Sequence, residues 1–301
     1  MNNTDQLARW IRVSRSEPCQ VCGKPDYCTR SADGELLKCC RVPSERELIQ
    51  SDGSAAWLHK PDSPLTPVSL PKKDPPPRVT TQEWLSRARS MFEHRLASVL
   101  RQKLATSLGV SQDSLYRLRV GYGVDRDGTP FASFPCRDPR GNITGIWKRY
   151  ADGSKKSVWG SRLGLFYAYP FQSHRVICVV EGPSDTAACI SKNIPCVGRT
   201  SNLGGIALLE VMLKDIDVIL FVGENDYRKE DRCQHDTGFC NLCWPGKYGA
   251  QKSAQLLSKR LHRKCYWAMV DGSKDSREWL RDHSPEQFLP SLKKTASRAQ
   301  A

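Results

Sequence analysis

From residue 173 onward the chain alternates short, continuous apolar runs with segments of helical pattern, and no other feature restricts its fold as strongly. The runs RVICVVEG, IPCVGR, DVILFVGEND and CYWAMV are separated by SDTAACISKN, GGIALLEVMLK and GKYGAQKSAQLLSKRLH. A strand that is apolar at successive positions must be covered on both faces. The alternation therefore predicts a parallel, doubly wound α/β sheet with crossover helices.

Ligands in that architecture gather outside the carboxyl ends of the strands. Glu181 closes the first run, Glu224 and Asp226 close the third, and Asp185 lies one helical turn beyond Glu181. Single acids at strand ends often do no more than cap the next helix. Several acids from separate segments repel one another unless cations intervene, and hard oxygen ligands select Mg(2+) or Mn(2+). Two such ions about 3.5–4 Å apart can activate a hydroxyl and stabilise a leaving oxygen during attack on phosphorus.

The cysteines cluster. CQVCGKPDYCTRSADGELLKCCR holds Cys19, Cys22, Cys28, Cys39 and Cys40, a Cys-x2-Cys knuckle followed by thiols on two hairpin strands around the turn SADGE. Four thiolates can enclose one Zn(2+), which would supply much of the folding energy of so short a segment. Adjacent strand residues point to opposite faces, so one of Cys39 and Cys40 faces the metal, and Cys39 is taken with Cys19, Cys22 and Cys28. A second group, CQHDTGFCNLCW, places Cys233, His235, Cys240 and Cys243 at a less standard spacing and is a further zinc candidate. Cys136, Cys178, Cys189, Cys196 and Cys265 lie in strand or helix patterns and read as core.

Residues 60–79 are rich in proline and read as an extended, semi-rigid linker. Beyond Thr80 the pattern is helical, with Leu96, Leu100, Leu104 and Leu108 as a core-facing stripe. Residues 120–170 read as a small antiparallel sheet with turns at DPRGN and ADGS. Here Arg137, Lys148, Arg149, Lys155, Lys156 and Arg162 are interleaved with Trp147, Tyr150 and Trp159. Bases stack on aromatic rings while Lys and Arg neutralise phosphates, so this is the candidate nucleic-acid or nucleotide track.

Charge agrees with that reading: 46 Lys plus Arg stand against 32 Asp plus Glu, a formal net charge of +14. An excess of that size favours a polyanionic partner. No apolar run approaches the ~20 residues that span a bilayer, and the amino terminus lacks a secretory pattern, so a cytoplasmic protein with reduced thiols and no membrane partner is expected.

VVEGPSDTAA, LFVGEND, GKYGAQKSAQLLSKRL and DGSKDSREWL together resemble the Toprim domain of primases, topoisomerases, some nucleases and recombination mediators. With the cysteine-rich start and the basic middle, the order is similar to that of bacterial-type, bacteriophage and mobile-element primases with an amino-terminal zinc ribbon. The resemblance implies a zinc ribbon over 1–59, the linker over 60–79, a basic mixed α+β primase subdomain over 80–172, a Toprim domain over 173–290 and a basic tail over 291–301. It implies acid–base or metal-binding work for Glu181, divalent metal binding by Glu224 and Asp226, and supporting roles for Asp185 and Asp275. Two departures stand out: the third-strand motif is Glu224-Asn225-Asp226 in place of Asp-x-Asp, and residues 227–245 are inserted after it.

The function expected from the resemblance is synthesis of short RNA primers on single-stranded DNA from ribonucleoside triphosphates. The sequence has no Walker-type phosphate loop, so no fused helicase is expected in it, and a separate replicative helicase is a candidate partner. A non-catalytic zinc/Toprim DNA-binding scaffold and a Toprim nuclease are the other readings.

Overall fold

Residues 10–49, 55–63, 65–67, 79–228, 233 and 238–298 are described by the computed structural model. They divide into two units, Met1–Pro76 with Tyr227–Pro245, and Pro77–Asp226 with Gly246–Ala301.

The first unit contains a five-stranded antiparallel sheet. Its strands are β1 (Trp10–Arg12), β2 (Thr29–Ser31), β3 (Leu37–Cys39), β4 (Glu47–Ile49) and β5 (Ala55–His59), in the order β1-β2-β3-β5-β4. The β2–β3 hairpin turns at Asp33-Gly34, where Gly34 takes φ +82°, a conformation that side chains disfavour. Leu37, Trp57 and Leu58 of β3 and β5 are buried, and Val13 and Leu242 are buried among Cys19, Cys22, Cys28 and Cys39. The insertion thus belongs to the same small core as the amino-terminal cysteines.

The second unit begins with three helices. α1 (Thr81–Glu93) opens on a capping box in which the Thr80 hydroxyl accepts from the Glu83 amide and the Glu83 carboxylate accepts from the Thr80 amide. It buries Trp84 and Ala88 against Ile143 and Ile146. α2 (Ala97–Leu108) ends at the left-handed Gly109, and α3 (Gln112–Arg117) follows. The buried residues of α2 are Ala97, Arg101, Ala105 and Leu108. This corrects the expected leucine stripe: Leu96 precedes the helix and is 41% exposed, while Leu100 and Leu104 only flank the core. Arg101 is accommodated because its guanidinium donates to the Val120 carbonyl at 2.8 Å.

An antiparallel meander comes next: β6 (Gly121–Val124), β7 (Pro130–Arg137), β8 (Ile143–Arg149), β9 (Lys155–Ser157) and the two-residue β10 (Leu165–Phe166). The alternating half contains β11 (Val176–Glu181), α4 (Gly182–Ser191), β12 (Cys196–Arg199), α5 (Ile206–Leu213), β13 (Val218–Gly223), α6 (Pro245–Leu261), β14 (Tyr266–Met269) and α7 (Ser276–Asp282). α8 (Phe288–Thr295) and β15 (Ser297–Arg298) follow.

Strands β14, β13, β11 and β12 are parallel, in that order. Cys178, Val180, Leu220, Val222, Ala268 and Val270 share one core with Ala187, Trp279 and Phe288 of the covering helices. The alternate residues Ile177, Val179, Ile219 and Phe221 are buried as well. Both faces are covered, as the continuous apolar runs require. The meander is not a separate small sheet. β10 pairs with both β7 and β12, so ten strands form one mixed sheet, ordered β15-β14-β13-β11-β12-β10-β7-β8-β9 with β6 beside β7.

Candidate functional site

In the second unit, β11 is flanked by β12 on one side and β13 on the other, so the connections diverge around it. The carboxyl end of β11 is the switch point at which an open α/β sheet forms its crevice. Glu181 is the last residue of β11, and Glu224 directly follows β13. Asp226 accepts the Gly246 amide at 2.9 Å at the start of α6. Asp185, in the first turn of α4, accepts the Arg277 amide at 2.9 Å. Asp275 caps α7 through the Glu278 amide at 2.8 Å and lies 3.4 Å from the Arg277 guanidinium. Asn225 bridges the segments: its amide donates to the Lys274 carbonyl and its side chain to Ser273.

These acids influence one another. Burial raises Glu224 to about 9, reinforced by the charges of Glu181, Asp185, Asp275 and Asp226. Burial and Asp275 raise Asp185 to about 7. Burial also raises Glu181, opposed by Arg199 and reinforced by Asp226. Carboxylates destabilised by mutual repulsion fit the donor set of a hard divalent cation, whose binding would favour their charged forms. Among the described residues, no three of these carboxylates offer oxygens all within 4.8 Å of one another. They stand at separate strand and helix ends rather than meeting at a point.

Basic groups surround the acids. Arg199, only 1% exposed, ends β12 opposite Glu181 in the parallel register. It donates to Ser253 Oγ at 2.6 Å and to the Asn202 carbonyl. Its charge faces Glu181 and Glu224, and its Nε has no hydrogen-bond partner. Lys155 is exposed on β9, and a Cβ at Gly182 would lie 3.9 Å from its Nζ. Its charge opposes the rise of both Glu181 and Asp185. Arg149 stands directly opposite Lys155 across β8–β9, and burial together with Arg277 lowers its pKa. Like charges facing across a strand pair are unfavourable unless an anion lies between them. Arg149, Lys155 and Arg277 are therefore suited to an anionic group beside the acids.

The other sequence-selected cations are distributed differently. Lys148 opposes Lys156 on the next cross-strand pair, where it is ion-paired to Asp125 and Lys156 lies over the Tyr150 ring. Arg162 is exposed, and so is Trp159. Arg137 is buried, donating to the Gly141 carbonyl and stacking on Tyr169, so it is not part of an exposed track. Arg199 and Arg277 were not among the selected residues. The available signal for Arg199 was its position at the end of an apolar run.

In the first unit, the thiols of Cys19, Cys22, Cys28 and Cys39 all lie within 4.8 Å of one another and are fully buried. The Cys22–Cys28 and Cys28–Cys39 sulfur separations are 3.6 and 3.8 Å. Tetrahedral zinc with Zn–S bonds near 2.3 Å sets its sulfurs about 3.8 Å apart, so the donor set fits Zn(2+). The amides of Cys40, Arg41 and Val42 point at Cys28 or Cys39 sulfur, and the Arg41 guanidinium lies 3.7 Å from Cys28 Sγ. Such donors stabilise thiolate charge. Cys40 turns away, its thiol donating to the Tyr27 carbonyl at 3.2 Å. Cys233, Cys240 and Cys243 form a second cluster. His235 lies outside the described residues.

No family profile matches the sequence. No curated protein matches it either. Solved structures do. The Escherichia coli primase catalytic core aligns with TM-score 0.53 at 13% identity, covering 73% of this chain and 80% of that one. The zinc-binding and RNA polymerase domains of Aquifex aeolicus primase align with TM-score 0.53 at 15% identity, covering 75% of this chain and 64% of that one. A DnaG primase catalytic domain bound to single-stranded DNA aligns with TM-score 0.50 at 13% identity, covering 71% and 80%. The chain has the fold of the bacterial primase core, and the Toprim-type sheet with a preceding cysteine ribbon expected from its sequence is the architecture found. Among the described residues no helix is long and apolar enough to cross a membrane.

Proposed function

We propose that this protein synthesises short RNA primers on single-stranded DNA by divalent-metal-dependent nucleotidyl transfer. One observation carries the reading: in a primase-type fold, Glu181 ends β11, Glu224 and Asp226 follow β13, Asp185 and Asp275 stand at the starts of α4 and α7, and the charges of Arg199, Lys155 and Arg277 act on these acids.

The reaction joins a 3′-hydroxyl oxygen to the α-phosphorus of a ribonucleoside triphosphate, breaks the bond to the bridging oxygen, and releases pyrophosphate. Glu224, Asp226 and Glu181 would hold Mg(2+) or Mn(2+), which supplies hydroxyl activation and charge neutralisation at the leaving oxygen. In a state where Glu224 and Asp226 hold the metal without it, Glu181 would take the hydroxyl proton, its carboxylate raised by burial. Arg149, Lys155 and Arg277 orient the triphosphate, and Arg199 holds Glu181 and Glu224 from below. Phosphoryl transfer of this type asks mainly for positioning and charge neutralisation. The exposed Lys156, Arg162 and Trp159 extend the surface suited to a single strand. The first cysteine cluster, loaded with Zn(2+), would read the template.

Labelled ribonucleotides supplied with Mg(2+) or Mn(2+) and single-stranded DNA should enter short RNA in the wild-type protein and fail to do so in Glu181→Gln and Asp226→Asn. Retained synthesis in both variants would refute the assignment of the acids. A DNA-binding scaffold is the second reading, favoured by the spread of the carboxylates and by Glu224 in place of aspartate. A scaffold would bind DNA equally with and without divalent metal and make no product.

A further inference from the structure

The insertion after Asp226 has a structural partner within its own unit. Leu242 is 3% exposed in the core formed by Cys19, Cys22, Cys28, Cys39 and Val13. The neighbouring Asn241 side chain, also buried, donates to the Cys40 carbonyl at 3.3 Å, joining residues 201 positions apart. Among the described residues of the insertion, further contacts surround this one. The two arms of the insertion are closed by Arg228, whose amide donates to the Cys243 carbonyl at 2.8 Å and whose Nε donates to the Leu242 carbonyl at 2.9 Å. Trp244 packs edge-on against Tyr227 and Phe239.

Between those arms stand three thiols. Cys233 and Cys240 sulfurs are 3.5 Å apart, and Cys240 and Cys243 sulfurs 3.9 Å apart. The Cys240 amide points at Cys243 Sγ and the Leu242 amide at Cys240 Sγ, at 3.3 and 3.4 Å. This repeats the pattern of the first cluster: sulfurs near the spacing of a zinc tetrahedron, with backbone donors aimed at them.

We propose that Cys233, Cys240 and Cys243 bind a second zinc ion, which fastens the 227–245 insertion onto the amino-terminal cysteine ribbon. Leu242 lies between Cys240 and Cys243, so a metal that fixes both cysteines also fixes the side chain inserted into the ribbon core. The chain leaves the second unit at Asp226 and returns at Gly246. A thiolate-rich donor set selects a borderline-soft metal such as Zn(2+) over the hard cation expected at the carboxylates. This inference stands without the polymerase reading, because its readouts are metal content and local protection.

The test uses the full chain. Each cluster would take one ion, the second through its three thiolates and one further ligand, so metal analysis of the purified protein should give about two zinc per chain. Cys240→Ser and Cys233→Ser should each reduce this to about one, and amide exchange in the peptide covering 238–244 should accelerate by about tenfold or more. Stepwise titration of the wild-type protein with a thiol-reactive mercurial should release zinc in two phases, the first accompanied by the same loss of protection. That experiment needs no variant to fold. One zinc per chain in the wild type would overturn the proposal, as would full zinc retention in both variants. Loss of one zinc with unchanged exchange across 238–244 would overturn the clamp.

Discussion

The Cα hydrogen side of Gly246 faces Glu224 so closely that a Cβ at 246 would lie 2.5 Å from the Glu224 carbonyl oxygen and 2.8 Å from its Cβ. The first turn of α6 is thereby packed on the backbone of the candidate metal-binding acid, and Asp226 is tied to the same Gly246 through its amide. Glu224 thus depends on the missing side chain at 246, while Asp226 depends on the Gly246 amide.

Gly246→Ala should displace Glu224, because backbone on both sides leaves no flexible group to yield. We expect a stability loss of about 1–3 kcal/mol from overpacking and a larger relative loss of primer synthesis. Urea denaturation and a ribonucleotide incorporation assay on the same preparation measure both. Activity equal to wild type would show that Glu224 need not occupy its present position.

Stability without divalent metal should fall as pH rises from about 5 to 8, with the zinc sites kept loaded. Glu224 is raised from 4.5 to about 9 and Asp185 from 3.8 to about 7. Between the unfolded and folded values the native state holds more protons than the unfolded chain, so raising pH favours unfolding. Mg(2+) or Mn(2+) should restore more stability at pH 8 than at pH 6, since it binds the deprotonated acids. Thermal melts with and without metal check the sign, and Glu224→Gln should flatten the metal-free slope.

Arg199→Met should destabilise the protein by roughly 3 kcal/mol, the scale on which removing one member of a buried charge group is felt. Its guanidinium faces Glu181 and Glu224 while bonded to Ser253 and Asn202. Arg199→Lys should recover only part of the loss, because an ammonium cannot reproduce the planar fork. Full stability in Arg199→Met, measured by denaturant unfolding, would argue against its counter-charge role.

The parallel half of the sheet was legible because each strand is apolar on both faces, a pattern carried by the local sequence. The acids followed, since the strand ends fix where Glu181 and Glu224 stand. The join between the halves was not legible. β10 is the two residues Leu165–Phe166, too short to show a period, and its pairing with β12 and β7 is a long-range choice. The leucine stripe of α2 was legible in part: Leu108 is buried and Leu100 and Leu104 pack against the core, but Leu96 lies before the helix, and the other buried positions go to Ala97, Arg101 and Ala105. Arg199 shows in the sequence only as the end of an apolar run, and its partners appear when β12 is laid beside β11. The docking of Leu242 into the cysteine core depends on contacts some two hundred residues apart, beyond any local signal.

The two neighbouring thiols at the end of β3 should behave differently. Cys39→Ser should lose the zinc of the first cluster and, with it, most of the folding energy of a unit whose apolar core is small. Cys40→Ser should retain that zinc, because Cys40 is directed to the Tyr27 carbonyl. Zinc content and cysteine alkylation rates distinguish them. Equal zinc loss in both would mean that the cluster uses the other thiol.

The most direct measurement of the central claim is the sequence of the product. Purified protein, single-stranded DNA of known mixed sequence, all four ribonucleotides and Mn(2+) or Mg(2+) should yield short, alkali-labile oligonucleotides complementary to the template, and none with Glu181→Gln. No product, or products unrelated to the template, would contradict the account.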